Sequence, residues 1–321
     1  GTVANPVAVS GNAGVTEGLI SILAAVGTAI IGGSWAVARL LLGQVEQRIE
    51  LMNRQLEKQI ETDWPAVVQK LQAVQRHLLN RDGMICNITL DAANWARFEP
   101  QLRDFLTSLP VATPDQNRWS PTFDAAPEGL IIPAQVNYVG KGANIYNLGY
   151  QYHGSINVIT NFIRTGWLWE KVRMQGGAYG AFCSFSKQSG LLTFLSYRDP
   201  NLLNTLAVYD QTADFLRTLE LSDDELTKNI IGAIGSMDAY QLPDSKGYTS
   251  LMRYLLHESE ADRQQTRDEI LATTAHDFKA FAEILDAVKA QGRVVVMGSQ
   301  GAIESANSSQ AGGWLKLQKV M

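Results

Sequence analysis

The chain has 321 residues, 45% hydrophobic and 18% charged, a composition that excludes a disordered protein and leaves room for one large or two ordinary domains. A formal net charge of -5 argues against a nucleic-acid partner, because gripping phosphates needs a basic face. Two cysteines, Cys86 and Cys183, cannot make the disulfide framework of a small secreted protein. Both lie in strand-like apolar runs and read as buried thiols of a reducing compartment, cytoplasmic or organellar.

The chain begins at Gly1, as expected of a fragment or a processed product. From Gly18 to Ala38, "GLISILAAVGTAIIGGSWAVA", 21 residues carry no charge between Glu17 and Arg39. That is long enough to cross a bilayer as a helix. Ser21, Ala25, Ala29 and Gly33 recur every fourth residue and would form a small-residue stripe. No basic region precedes the apolar run, which argues against a secretory signal. The alternative is a glycine-rich helix buried in a soluble core or docked on a partner. Val45, Ile49, Met52, Leu56 and Ile60 then recur at spacings of three and four, predicting an amphipathic helix over 44–62 or a short coiled-coil seam.

From Asp63 the pattern becomes globular. Val67, Leu71, Val74 and Leu78 mark one helix face, with Pro65 tolerated in the first turn. "GMICNITL", Gly83 to Leu90, reads as a strand, and a helix from about Ala93 to Leu109 follows. Pro110 to Gly129, "PVATPDQNRWSPTFDAAPEG", has four prolines and no apolar period, so residues 110–129 read as a linker. The expected organisation is an N-terminal segment, a globular region from Asp63 to the linker and a last domain from Leu130 onward.

The last domain opens with a strand, "LIIPAQVNYVG", Leu130 to Gly140, carrying a proline near its start. A helix over roughly Ser155 to Met174 should bury Ile156, Ile159, Phe162, Ile163 and Trp167. Two strands joined at "KQSG", Tyr179 to Ser186 and Leu191 to Tyr197, read as a hairpin. Asp199 before Pro200 reads as the cap of a helix reaching about Leu219. Ser222 with Glu225, Ser259 with Asp262 and Thr274 with Asp277 are capping-box signals. Gly292 closes the last long helix and "RVVVMG" returns to strand. Strand, helix, hairpin, helices and strand in that order predict an α+β fold, with helices packed on one face of a mainly antiparallel sheet. The helix, strand and helix before the linker read as an α/β segment, which the family likeness below makes a partial one.

Several chemistries are excluded by what the chain lacks. His77, His153, His257 and His276 are too far apart for two to share one helical turn, so neither His-Glu-x-x-His nor its inverse is present. No Gly-x-Ser-x-Gly elbow occurs, and Cys183 has no neighbouring activator. "GGAYG", Gly176 to Gly180, is not a phosphate loop, since no lysine follows, and it precedes a strand rather than opening a helix. What remains in "WEKVRMQGGAYGAF" is Arg173 at a helix end and Tyr179 at a strand start. Gly176 and Gly177 between them permit a tight reversal with close backbone approach. A guanidinium and a phenol held on rigid element ends could grip a substrate carbonyl and stabilise an oxyanion. A surface ion pair of Arg173 with Glu170 beside a packed aromatic is the simpler account from residue chemistry alone.

Taken together, "WLWEKVRMQGGAYGAFCSF", "LSYRDPNLLNTLAVYDQTADFL" and "DAYQLPDSKGYTSLMRYLL" resemble the C-terminal domain of the presequence proteases, pitrilysin-class metallopeptidases with an inverted zinc motif. The likeness runs from about Glu61 through "ANSSQAGGWLKLQKVM" at the terminus. It implies a two-halved peptidase that encloses unstructured peptides such as targeting presequences. Zinc, its ligands and the catalytic Glu belong to the N-terminal half of that family, so the resemblance implies no metal or other cofactor in this chain and no activity of the chain alone. It implies two partners, the peptide substrate and a zinc-bearing N-terminal half. By motif position, Arg173 and Tyr179 become the residues that reach the substrate carbonyl and the oxyanion, with Gly176 and Gly177 as the substrate-binding loop. Residues 130–321 would be the fourth domain of such an enzyme and 61–109 the closing part of the third. Residues 1–60 lack the likeness. The alternative expectation is a membrane-tethered peptide-binding or scaffold module without a catalytic role, anchored through residues 18–38.

Overall fold

The computed structural model describes residues 35–112, 126–310 and 314–320, with side chains from Ile49 onward. Residues 18–34 of the uncharged segment lie outside the described residues. Its last four begin a helix, and among the described residues no helix is long and apolar enough to cross a membrane.

In chain order the helices are α1 (Trp35–Thr62), α2 (Trp64–Leu78), α3 (Ala92–Ser108), α4 (Ser155–Phe162), α5 (Leu203–Asp210), α6 (Thr212–Thr218), α7 (Asp223–Met237), α8 (Pro243–Leu255), α9 (Glu260–Leu271), α10 (Ala275–Gln291) and α11 (Gln300–Ser309). The strands are β1 (Glu128–Ile131), β2 (Tyr138–Asn144), β3 (Gly180–Ser186), β4 (Leu191–Tyr197), β5 (Arg293–Gly298) and β6 (Lys316–Lys319). They fall into two compact units, Gly1–Pro121 with Gln241–Tyr254, and Thr122–Tyr240 with Leu255–Met321.

The first unit is helical. Asp63 caps α2 by accepting from the Ala66 N–H, and Pro65 sits in the first turn where its missing N–H costs nothing. Asp91 caps α3 through the Asn94 N–H at 2.9 Å. The expected strand at Gly83 to Leu90 does not form: after a 3₁₀ turn over Arg81–Gly83 the chain runs to Leu90 without pairing with any strand among the described residues. Its apolar run is therefore not a core element, and Cys86 is exposed rather than buried. Of the expected α2 face only Val67 is buried; Leu71 and Leu78 remain 58% and 68% exposed. Met52, Leu56 and Ile60 on α1 are uncovered in the same way.

The second unit is α+β. Its six-stranded sheet has the order β3-β4-β2-β5-β1-β6. The pairs β3-β4, β4-β2 and β2-β5 are antiparallel, while β5-β1 and β1-β6 are parallel. The sequence led us to expect one strand over Leu130 to Gly140. Instead Pro133, which cannot donate to a ladder, falls in a break, and the two pieces flank β5 on opposite sides. Helices cover one face. Val139, Leu192, Phe194, Cys183, Val294 and Val296 point into it and are buried, whereas Phe182, Leu191 and Leu195, on the alternate positions, stay more than two-fifths exposed. Phe194, Phe278, Ile156, Ile159 and Leu216 are among the largest side chains sealed in this core.

A lysine lies inside. Lys141 on β2 is buried, with Nζ 2.5 Å from Asp210 Oδ1 and 2.9 Å from the Lys289 carbonyl at the end of α10. Capping boxes form as expected at Ser222 and Ser259, while at Thr274 the Asp277 carboxylate accepts from the Thr274 N–H and hydroxyl and the Asp277 N–H goes to the Thr274 carbonyl. The helix expected to start at Asp199 starts instead at Leu203 and is interrupted at Gln211. Asp199 has a different task, described below. The hairpin β3-β4 and the strand β5 lie where expected; α11 and β6 follow beyond the expected elements.

Candidate functional site

The helix that leads into the glycine pair changes its winding. Ser155–Phe162 is α-helical, and Ile163–Gln175 continues with the wider i→i+5 pattern of a π-helix. Its buried residues, Ile163, Leu168 and Val172, are spaced five and four apart. An α-helical period puts Trp167 in the core, but the wider turn buries Leu168 instead. Trp167 lies half-buried, stacked on Phe215 at 4.5 Å with its indole N–H donating to the Val208 carbonyl. Such widened turns recur at functional sites.

The two glycines serve different needs. Gly177 has φ +79°, the left-handed region that costs an L-residue a Cβ–carbonyl clash. Its N–H donates to the Arg173 carbonyl at 2.9 Å, and the Ala178 N–H donates to the Val172 carbonyl at 3.1 Å, so the reversal is closed by two bonds. Gly176 has an ordinary backbone, φ -82°, yet a Cβ there would lie 2.5 Å from the Val172 carbonyl oxygen. One glycine supplies the reversal and the other the close approach.

The turn is tied to the sheet from below. The side-chain amide of Asn201 donates to the Gly176 carbonyl at 2.6 Å. Asn201 is itself held by Asp199, which is fully buried: Oδ1 accepts from the Asn201 N–H at 2.9 Å and Oδ2 from the Thr205 hydroxyl at 2.6 Å. The backbone of Asp199 also exchanges bonds with Asn137 at 2.7 and 2.8 Å. The "DPN" stretch is thus a brace between β2, the start of α5 and the glycine turn. A helix cap and a brace look alike in sequence, because both need an acceptor carboxylate ahead of a helix.

Arg173 and Tyr179 emerge on the two sides of this turn. The Arg173 guanidinium lies over the Trp169 ring, 3.8 Å from its centroid, one winding back along the helix. Glu170, the ion-pair partner in the simpler account, instead approaches Lys171 Nζ at 3.3 Å and accepts from the Gln175 amide at 2.9 Å. Tyr179 is 66% exposed. Its backbone N–H donates to the Tyr197 carbonyl at 3.1 Å, extending the β3-β4 ladder by one bond. Its ring meets the Tyr197 ring edge-on at 5.8 Å, and Tyr197 meets Tyr138 edge-on at 5.5 Å. Three tyrosines and Phe182 therefore border the uncovered face of the sheet beside the glycine turn. The Trp169 support is a spacing-of-four pair visible in the sequence, whereas the tyrosine row joins three separated stretches and has no local signal.

Burial, followed by the neighbouring Tyr138 phenol, pushes the Tyr197 hydroxyl above the ordinary phenol range; Arg198 pulls the other way and Tyr179 adds to the rise. Tyr197 is therefore a protonated donor at neutral pH. Burial likewise raises the Cys183 thiol far above its usual range, so it is no nucleophile. Among the described residues no group of three or more His, Cys, Asp or Glu side chains is placed to hold a metal ion.

Comparison with known proteins gives this site its setting. The family described as the PreP C-terminal domain matches residues 127–300, more than half of the chain. Presequence protease 1, chloroplastic/mitochondrial, of Arabidopsis thaliana is 46% identical over 258 residues, 80% of this chain and 24% of that protein. Protein HypA of Clostridium perfringens is 28% identical over 234 residues, 73% of this chain and 24% of that protein. Among solved structures, that of pitrilysin superposes with a TM-score of 0.45 at 13% identity, over 72% of this chain and 26% of that one. The chain spans about a quarter of the length of these two curated relatives. The likeness read from "WLWEKVRMQGGAYGAFCSF" and its companions is borne out: this chain belongs to the family of the presequence protease C-terminal domain.

Proposed function

We propose that the chain is the non-catalytic C-terminal portion of a zinc metallopeptidase that degrades unstructured peptides, and that it closes the chamber and holds the substrate. The observation that carries the reading is the braced turn: Arg173 and Tyr179 stand at fixed places on either side of Gly176 and Gly177, at the border of an uncovered sheet face. Arg173 donates to a peptide carbonyl, and Tyr179 donates to the oxygen that gains charge when that carbonyl is attacked. Neither step requires either residue to exchange a proton, so both act by position and charge alone.

Residues 130–321 correspond in this reading to the fourth domain of the whole enzyme, 61–109 to the closing part of the third and 110–129 to the linker between them. In this reading zinc and its ligands belong to an N-terminal half, as the family likeness implies. Apolar rows are left open on α1 and α2, Met52, Leu56 and Ile60 with Leu71, Val74 and Leu78, and rows of this length call for a cover.

Mixing the purified chain with a separately expressed zinc-bearing half and an unstructured peptide tests this. Cleavage should exceed that of the zinc-bearing half alone and fall when Arg173→Ala or Tyr179→Phe replaces the wild type. Cleavage that stays at the level of the zinc-bearing half alone refutes the reading.

A further inference from the structure

Tyr197 has a property that neither the fold nor the proposed contacts of Arg173 and Tyr179 explain. The residue is only 7% exposed, and its hydroxyl is buried without a hydrogen-bond partner. Few other side chains among the described residues share that state, Thr89, Asn137 and Arg263, and none of those three belongs to the tyrosine row. A buried donor left unpaired costs stability, and natural folds keep one chiefly where something else uses it. Tyr209 makes the contrast: it is equally buried on the covered side of the sheet, and its hydroxyl donates to the Val139 carbonyl at 3.2 Å.

The position of Tyr197 says what could use it. It lies on β4 opposite Gly180, the residue after Tyr179, on the sheet face opposite the one that holds the core of this unit. Its ring is held between Tyr138 and Tyr179. Tyr138 lies within β2, whereas the Tyr179 side chain is two-thirds exposed just before β3, so its ring has room to turn on a backbone that stays bonded to Tyr197. When Tyr179 turns toward a ligand on this face, the Tyr197 hydroxyl gains access to the same ligand. As a protonated phenol it offers a proton and asks for an acceptor oxygen.

We propose that Tyr197 is a substrate-positioning residue: its hydroxyl donates to a backbone carbonyl of a bound extended peptide, next to the carbonyl held by Arg173 and Tyr179. This rests on the peptide-binding reading above and adds to it a third donor that reports whether Tyr179 has moved. The chain then recognises the peptide backbone at two successive points, which suits a substrate selected for being unfolded rather than for one side chain.

The test compares the full chain with its Tyr197→Phe, Arg173→Ala and Tyr209→Phe variants. It measures thermal unfolding, and binding of a fluorescein-labelled peptide of disordered composition by fluorescence anisotropy. Tyr197→Phe should weaken peptide binding about 3- to 10-fold, the value of one hydrogen bond. It should leave Tm unchanged or raise it, while Tyr209→Phe, which strands the Val139 carbonyl, should lower Tm. A Tm lowered by Tyr197→Phe as it is by Tyr209→Phe overturns the proposal, since the hydroxyl then has a partner in the free protein. Binding that is unchanged in Tyr197→Phe but weakened in Arg173→Ala overturns it too, and leaves the peptide-binding reading standing. If the wild-type chain binds no peptide, that reading fails and the role of Tyr197 falls with it.

Discussion

Replacing the two glycines one at a time separates the demands that the turn makes. At Gly177 the space is ordinary, with the nearest side-chain atom, Pro200 Cγ, 3.6 Å from where a Cβ would sit, so Gly177→Ala is opposed only by φ +79°. That penalty is about 1–2 kcal/mol, and the stiffer unfolded chain returns a few tenths, leaving a net loss of about 1 kcal/mol. In a unit of this size 1 kcal/mol lowers Tm by about 2–4 °C. Gly177→Asn should lose clearly less, because asparagine tolerates the left-handed region. At Gly176 the backbone is permissive but the 2.5 Å approach to the Val172 carbonyl must open, and that atom belongs to the helix itself. Gly176→Ala should therefore cost about 1–3 kcal/mol and pull the end of the helix away from Asn201. Urea titrations of the three variants, followed by circular dichroism and evaluated at one temperature, rank them. Equal losses for Gly177→Ala and Gly177→Asn, or a harmless Gly176→Ala, would refute the division of labour assigned to this pair.

Other consequences can be measured on the same material. Trp169→Ala removes the ring beneath the Arg173 guanidinium, a contact worth about 0.5–1 kcal/mol at an exposed site; it should weaken peptide binding about 2- to 5-fold with little change in Tm. Phe194→Ala empties a sealed core position and should cost about 3–5 kcal/mol in urea unfolding. Lys141→Ala strands Asp210 beside the core and should cost about 2–3 kcal/mol, less than a fully buried pair because Asp210 keeps some solvent, whereas joint replacement by Met and Leu should recover most of it. The carboxyls of Glu225, Asp238 and Asp262 are held below their ordinary range, chiefly by hydrogen bonds from Ser222, Arg267 and Ser259 respectively. A depressed carboxyl stabilises the fold above its unfolded pKa and stops doing so as pH falls through its folded one. Tm should hold between about pH 7 and 5 and drop below about pH 4, with a shallower drop in Ser222→Ala/Ser259→Ala.

The parts that could be read from the sequence were those encoded over a few neighbouring residues. Ser222 with Glu225 and Ser259 with Asp262 announce their helix starts because the bonds that make the cap join those residues. The β3-β4 hairpin announces itself by alternation around "KQSG". What could not be read depends on partners elsewhere. Met84 to Leu90 has the residues of a strand, but a strand exists only beside another. Ile163 to Gln175 keeps helical propensity, and nothing in its composition reveals that it winds wider and exchanges Trp167 for Leu168 in the core. At the site, Arg173, Gly176, Gly177 and Tyr179 sit within seven residues and were found together. Tyr138, Tyr197 and the Asp199–Asn201 brace come from other stretches, and only the folded sheet brings them alongside.

The placement of β5 sets an order for folding. Residues 293–298 form a central strand, between β1 on one side and β2 on the other, although β1 and β2 were synthesised some 150 residues earlier. Until β5 emerges, the β2-β3-β4 ribbon has an open edge at β2, and β1 has no neighbour on that side. Closure of the sheet therefore waits for nearly the whole chain and joins contacts of high sequence separation, the arrangement that folds slowly and leaves edges available for mispairing. A chain stopped before Arg293 would hold a hairpin-rich fragment rather than a smaller version of this fold, and nascent chains of that length are where a chaperone would find the most to bind.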